Sequence, residues 1–111
     1  MKTHLIDRNV TDEQLAEMLE ALDTYVKLAV DVETRILAGG GELHADCEAA
    51  LIENGSEQKN VWGADWFPHS KEVTFESLIN IRPRDGNSSL EVQSVDLRNR
   101  IEEIVRDHFE G

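Results

Sequence analysis

At 111 residues the chain is long enough for one domain, residues 1–111, built on one core, and too short for two. Its hydrophobic content of 40% argues for a folded chain, while a net charge of −12 is the reverse of the Lys and Arg footprint that a nucleic-acid backbone needs, so DNA or RNA binding is disfavoured. Cys47 is the lone cysteine, which excludes an internal disulfide and a Cys-based zinc site within one chain; with no signal-peptide run and no membrane-length apolar segment, a cytoplasmic protein without a membrane partner is expected.

Lys2 to Asp7 can form a short strand. Thr11, with Gln14 three positions on, has the form of a capping box and opens a helix whose Leu15, Met18, Leu19 and Leu22 recur at helical spacing. From Tyr25 the period changes to two: Val26, Leu28, Val30 and Val32 point one way, and Lys27, Ala29, Asp31 and Glu33 point to a wet face. A turn at Glu33 to Arg35 leads into a return strand, Ile36 to Ala38, and Gly39, Gly40 and Gly41 then bend the chain.

His44 to Glu53 is a second helix, stopped by Asn54-Gly55. Val61 to Phe67 alternates as a strand closed by Pro68, with Trp62 and Trp66 on one face, and both rings are expected in the core. A further strand is expected where Val73, Phe75, Ser77, Ile79 and Ile81 alternate with Thr74, Glu76, Leu78, Asn80 and Arg82, up to Pro83. After a loop at Arg84 to Ser89, a third helix starts near Asp96, with Leu97, Ile101, Ile104, Val105 and His108 on its apolar side.

The order β-α-β-β-α-β-β-α predicts an α+β fold. Its first six elements match the split βαβ order of ferredoxin-like folds. The expectation is a two-layer sandwich, an antiparallel or mixed sheet of four to five strands with helices on one face and the other face left for solvent or a ligand.

The segments GGELHADCE, ENGSEQ, VWGADWFP and SLINIRPRDGN resemble a family of short prokaryotic proteins, common in cyanobacteria, classified as a domain of unknown function. The resemblance covers the central and later two-thirds of the chain. It implies no reaction, cofactor or catalytic residue. Cys47 stands where the family pattern has a small residue, commonly Ala.

Two clusters carry polar chemistry. Asn80 and Arg82, expected on an exposed strand face, with Arg84 just beyond, suit a phosphate or carboxylate, and Lys27 and Asp31 share that face if the strands are neighbours. An Asp31–Arg82 ion pair is the structural alternative. His44, Asp46 and Glu48 suit a divalent metal. On a helix His44 and Glu48 share a face while Asp46 sits about 200° away, so the three converge only from an extended lead-in; Glu42 and His69 are further donors. Otherwise Asp46 and Glu48 favour the helix N-terminus and His44 is a cap-region hydrogen bonder.

Cys47 reads as a small core side chain. Neither Ser56 nor Ser77 has the His and Asp companions of a serine hydrolase. The expectation is therefore a non-catalytic binding or interaction module for a protein partner or small anion, without a cofactor. The alternative is a small metal-dependent hydrolase with His44 and Glu48 as ligands, Asp46 or Asp31 as base and Arg82 on the substrate anion. A homodimer built on the Trp62 and Trp66 strand is compatible with either.

Overall fold

A computed structural model describes residues 3–110. Its elements follow the expected order: β1 (His4–Ile6), α1 (Asp12–Leu19), β2 (Val26–Asp31), β3 (Leu37–Gly39), α2 (His44–Glu53), β4 (Val61–Phe67), β5 (Glu72–Thr74) and α3 (Val95–Phe109). The fold is α+β, with one antiparallel sheet ordered β1-β3-β2-β4-β5. Lys2, the first residue of the expected first strand, lies outside the described residues.

Local chemistry sets the element ends. Gln14 N–H donates to the Thr11 hydroxyl at 3.1 Å and Thr11 N–H to the Gln14 side chain at 3.0 Å, so both halves of the capping box at α1 are made. Asn54 caps α2, and Gly55 follows at φ 104°, a backbone conformation that glycine adopts without a Cβ clash. Ser94 accepts from Leu97 N–H at 3.2 Å to open α3.

Helices cover both faces of the sheet, which corrects the two-layer expectation. On one face Val26, Leu28, Val30, Trp62, Ala64 and Trp66 pack against Met18 of α1 and Ile101, Ile104 and Val105 of α3. On the other, Ala29, Ala38 and Val61 pack against Cys47 and Leu51 of α2.

Topology explains the third layer. β3 lies between β1 and β2 and runs antiparallel to both, so β1 and β2 are parallel strands joined through α1. By the same reasoning β3 and β4 flank β2 and are joined through α2. Both crossovers move the same way across the sheet but start from oppositely directed strands. Right-handed crossovers then place their helices on opposite faces. Had β4 paired with β1 instead of β2, α2 would have joined α1 and left one face open.

Within β2 the supposed wet face is accordingly open only at Lys27. Ala29 is fully buried beneath α2, and Asp31 is 1% exposed. Ala38, Ala29 and Gly63 are in register across three strands, a row of small residues that lets a helix and a loop approach the backbone closely.

The expected strand from Val73 to Ile81 ends at Thr74. Ser77 instead caps a 3-10 turn, Leu78–Asn80, accepting from Ile79 N–H at 3.2 Å. Side chains beyond this point do the work that strand backbone would have done.

Candidate functional site

Asn80 is fully buried, not on an exposed strand face. Its Oδ1 accepts from Gly63 N–H at 2.8 Å, and its Nδ2 donates toward Gly63 O at 3.1 Å, Phe75 O at 3.0 Å and Leu90 O at 3.2 Å. One side-chain amide thus pairs with the outer edge of β4 as a neighbouring strand would. Asn87, 3% exposed, repeats the device: its Nδ2 faces the carbonyls of Asn80, Ser89 and Glu91 at 2.8 to 3.0 Å, and its Oδ1 accepts from Gln93 N–H at 2.8 Å.

Gly63 completes this lock. A Cβ there would lie 2.5 Å from Ser77 Cβ, so the 77–80 turn can seat only on glycine. VWGADWFP and SLINIRPRDGN are two halves of one structural joint, and Asn80 is committed within it.

Arg82 continues the seal. Its Nε donates to Ile79 O at 2.9 Å, Nη1 to Gln58 O at 2.8 Å and Nη2 to Val61 O, while the guanidinium stacks 4.4 Å from the Trp62 ring centroid. The carboxylate beside it is Glu48, 3.8 Å away, so the expected Asp31–Arg82 pair is not formed. Burial pulls the Arg82 guanidinium below its ordinary value, opposed by Glu48 and Asp85. The side chain is a clamp that also places a fixed positive charge.

That charge sits in the wall of a cavity of about 440 Å³ lined by Gln58, Lys59, Arg82, Pro83, Arg84 and Asp85. Among the described residues Arg84, which is exposed, forms no ion pair, and Lys59 pairs only with exposed Glu57 at 3.4 Å. The structure thus brings Arg82 and Arg84 together and adds Lys59, which sequence reading missed. Its signal was position alone: it lies in the turn just before the strand that Arg82 clamps.

The remaining anion-site residues lie elsewhere. Lys27 and Asp31 stand at opposite ends of β2, about 13 Å apart along the strand. Lys27 Nζ donates to Glu42 O at 3.1 Å. Asp31 Oδ1 accepts from the N–H groups of Glu33 and Thr34 at 2.9 and 3.1 Å, turning the β2–β3 hairpin. Burial alone would raise the Asp31 carboxyl, but the Ser56 hydroxyl and the Thr34 and Glu33 N–H groups outweigh it and hold it below its ordinary value.

Asp31 forms part of a second cavity, about 480 Å³, with Glu33, Thr34, Gly55, Ser56, Glu57, Lys59 and Asn60. ENGSEQ supplies one wall. The 3-10 turn Gln58–Asn60 separates this cavity from the cationic one, and Lys59 lines both.

His44, Asp46 and Glu48 diverge. His44 Nε2 lies 2.8 Å from Asp65 Oδ1 and 3.1 Å from Ala64 O; facing two acceptors, this nitrogen carries the proton. Thr74 in turn donates to Asp65 Oδ2 at 2.9 Å. Asp46 accepts from Leu43 N–H at 3.2 Å, the cap role, and Glu48 turns to Arg82. No group of three or more His, Cys, Asp or Glu able to hold a metal occurs among the described residues. The Asp65 partner was missed because twenty-one positions separate it from His44.

Cys47 is buried, its Sγ 3.4 Å from Lys27 O, and burial pushes its thiol up to about 11. Trp62 and Trp66 are core residues at 5% and 3% exposure. Trp66 stacks on Phe109 at 5.3 Å, and β4 is an interior strand. Neither ring offers a dimer surface. No helix among the described residues is long and apolar enough to cross a membrane.

One family model, described as a protein of unknown function (DUF5674), matches residues 4–108. No curated protein and no solved structure matches the chain.

Proposed function

The chain belongs to the family of proteins of unknown function DUF5674, and for this member we propose a non-catalytic binding module that takes an anionic group in the cleft between Lys59 and Arg84. The observation that carries the reading is the sign of the charge. In a chain of net −12 with eleven Lys and Arg, three of those cations line one concavity against a single acid, Asp85. Low-dielectric walls around one sign of charge focus the field on whatever enters.

The parts divide the work. Arg82 is held by three backbone carbonyls and supplies a fixed charge, whereas Arg84 and Lys59 keep donors free for a carboxylate or phosphate. Recognition by two exposed side chains is sensitive to salt.

Titration of 15N-labelled protein with inorganic phosphate tests this. Amide shifts at Lys59, Arg84 and Asp85 that weaken with added salt and vanish in Arg84→Glu are expected. Absence of shifts there, or equal binding by Arg84→Glu, would overturn the reading.

A further inference from the structure

We infer that the two cavities beside the Gln58–Asn60 turn are one dipolar site, and that its occupant is an extended peptide segment with an acidic and a basic residue a few positions apart. This rests on the cleft reading above and adds the class of partner.

The walls have opposite character. On one side are Arg82 and Arg84; on the other, Asp31, Glu33 and Glu57 stand among the neutral donors and acceptors Thr34, Ser56 and Asn60, with Lys59, paired to Glu57, on the boundary between them. Neither wall specifies a ligand by itself. Their juxtaposition across one short turn does, because a chain crossing it meets positive potential, then negative.

The negative wall is preorganised. Asp31 is fixed by Glu33 N–H, Thr34 N–H and the Ser56 hydroxyl. The hairpin that carries Glu33 and Thr34 is tied to α3: Arg35, at φ 65°, pairs with Glu103 at 3.1 Å and with Asp107, its carbonyl accepts from His108 Nε2 at 2.8 Å, and Arg100 donates to Val32 O at 3.2 Å. A non-glycine residue in the left-handed region persists when its surroundings hold it there. The resulting wall loses little entropy when a ligand arrives.

Length selects a peptide over a free zwitterion. The separating 3-10 turn rises about 2 Å per residue, and an extended tetrapeptide spans roughly 13 Å, enough to reach both sides. A free amino acid with an uncharged side chain carries both charges on groups of one carbon and cannot.

Four acetylated, amidated probes decide the matter by 15N shift titration: Lys-Gly-Gly-Glu, Glu-Gly-Gly-Lys, Gly-Gly-Gly-Glu and Lys-Gly-Gly-Gly. One of the dipolar pair is expected to move the amides of both Ser56 and Arg84 and to bind at least fivefold tighter than either singly charged probe. Glu33→Gln, at an exposed position whose carboxylate faces Arg100 and not the cationic wall, should remove that advantage and leave acidic-probe binding intact. If the dipolar and acidic probes bind equally and move only the Arg84 side, the dipolar site is wrong and the anion cleft stands. If no probe moves either wall, both readings fail.

Discussion

The outer edge of β4 and the Lys59–Arg84 cleft meet at Arg82, and they are built on opposite principles. At the edge, Asn80, Asn87 and Gly63 are buried and their polar atoms fully engaged; in the cleft, Arg84 and Lys59 are exposed and weakly engaged. The edge holds the distinctive sequence. Unusual residue patterns here mark places where the backbone has one acceptable partner, whereas binding needs groups left incomplete.

The hardest test of that contrast is Asn80→Ala. It leaves the N–H and C=O of Gly63 without their amide, while the carbonyls of Phe75 and Leu90 keep the N–H groups of Val92 and Ser77, and unsatisfied buried groups cost about 1 to 3 kcal/mol each, reduced where water enters. A loss of about 3 kcal/mol in urea unfolding at unchanged m-value is expected. A loss under about 1 kcal/mol would mean that the loop does not depend on this amide.

Gly63→Ala comes next. The added methyl meets Ser77 Cβ at 2.5 Å and Ser77 Oγ at 2.8 Å, an overpacking worth about 2 kcal/mol by the same measurement. Because both changes release one turn, the double variant should lose less than the sum. Strict additivity would show that Gly63 and Asn80 are separate features, and the joint described above would not exist.

A smaller effect belongs to Asp31, on the opposite wall of the second cavity. Its folded value is depressed, so its ionised form stabilises the protein above the unfolded value near 3.8, and that stability is lost as pH falls through the folded value. Asp31→Asn keeps an acceptor for Glu33 and Thr34 but removes the charge, at a cost of about 1 kcal/mol near neutrality. The two unfolding curves should converge below pH 3.8. A gap that persists unchanged in acid would assign the cost to packing.

Much of the scaffold was legible because its signals are local. The Thr11–Gln14 box, the glycine stop after α2, the spans of α2 and β4, and the burial of both tryptophans each follow from neighbouring residues. What failed was long-range. Alternation continues from Val73 to Ile81, but a period of two cannot show that Ser77 and Asn80 bond to backbone through their side chains and turn the chain out of the sheet. The face covered by α2 depends on β4 pairing with β2, which no local pattern specifies, although the small residues Ala29, Ala38 and Gly63 were a usable hint. For the site, Arg82 and Arg84 were recognisable as cations with a possible anion, while Lys59 and the His44–Asp65 contact required the fold to bring distant positions together.

The smallest expected stability change carries the most about function. Arg84 is exposed and has no ion-pair partner among the described residues, so Arg84→Glu should shift unfolding by no more than about 0.5 kcal/mol. Its effect on binding should be complete, because reversing one of the three cations that line the cleft beside Asp85 cancels its positive charge and sets a carboxylate against the anion at short range. Arg84→Lys sharpens the point: it keeps the charge but loses the planar fork, so phosphate should still bind while a carboxylate probe weakens more. If Arg84→Glu instead destabilises the fold as much as Gly63→Ala, then Arg84 belongs to the seal on β4, and the division between a finished edge and an unfinished cleft disappears.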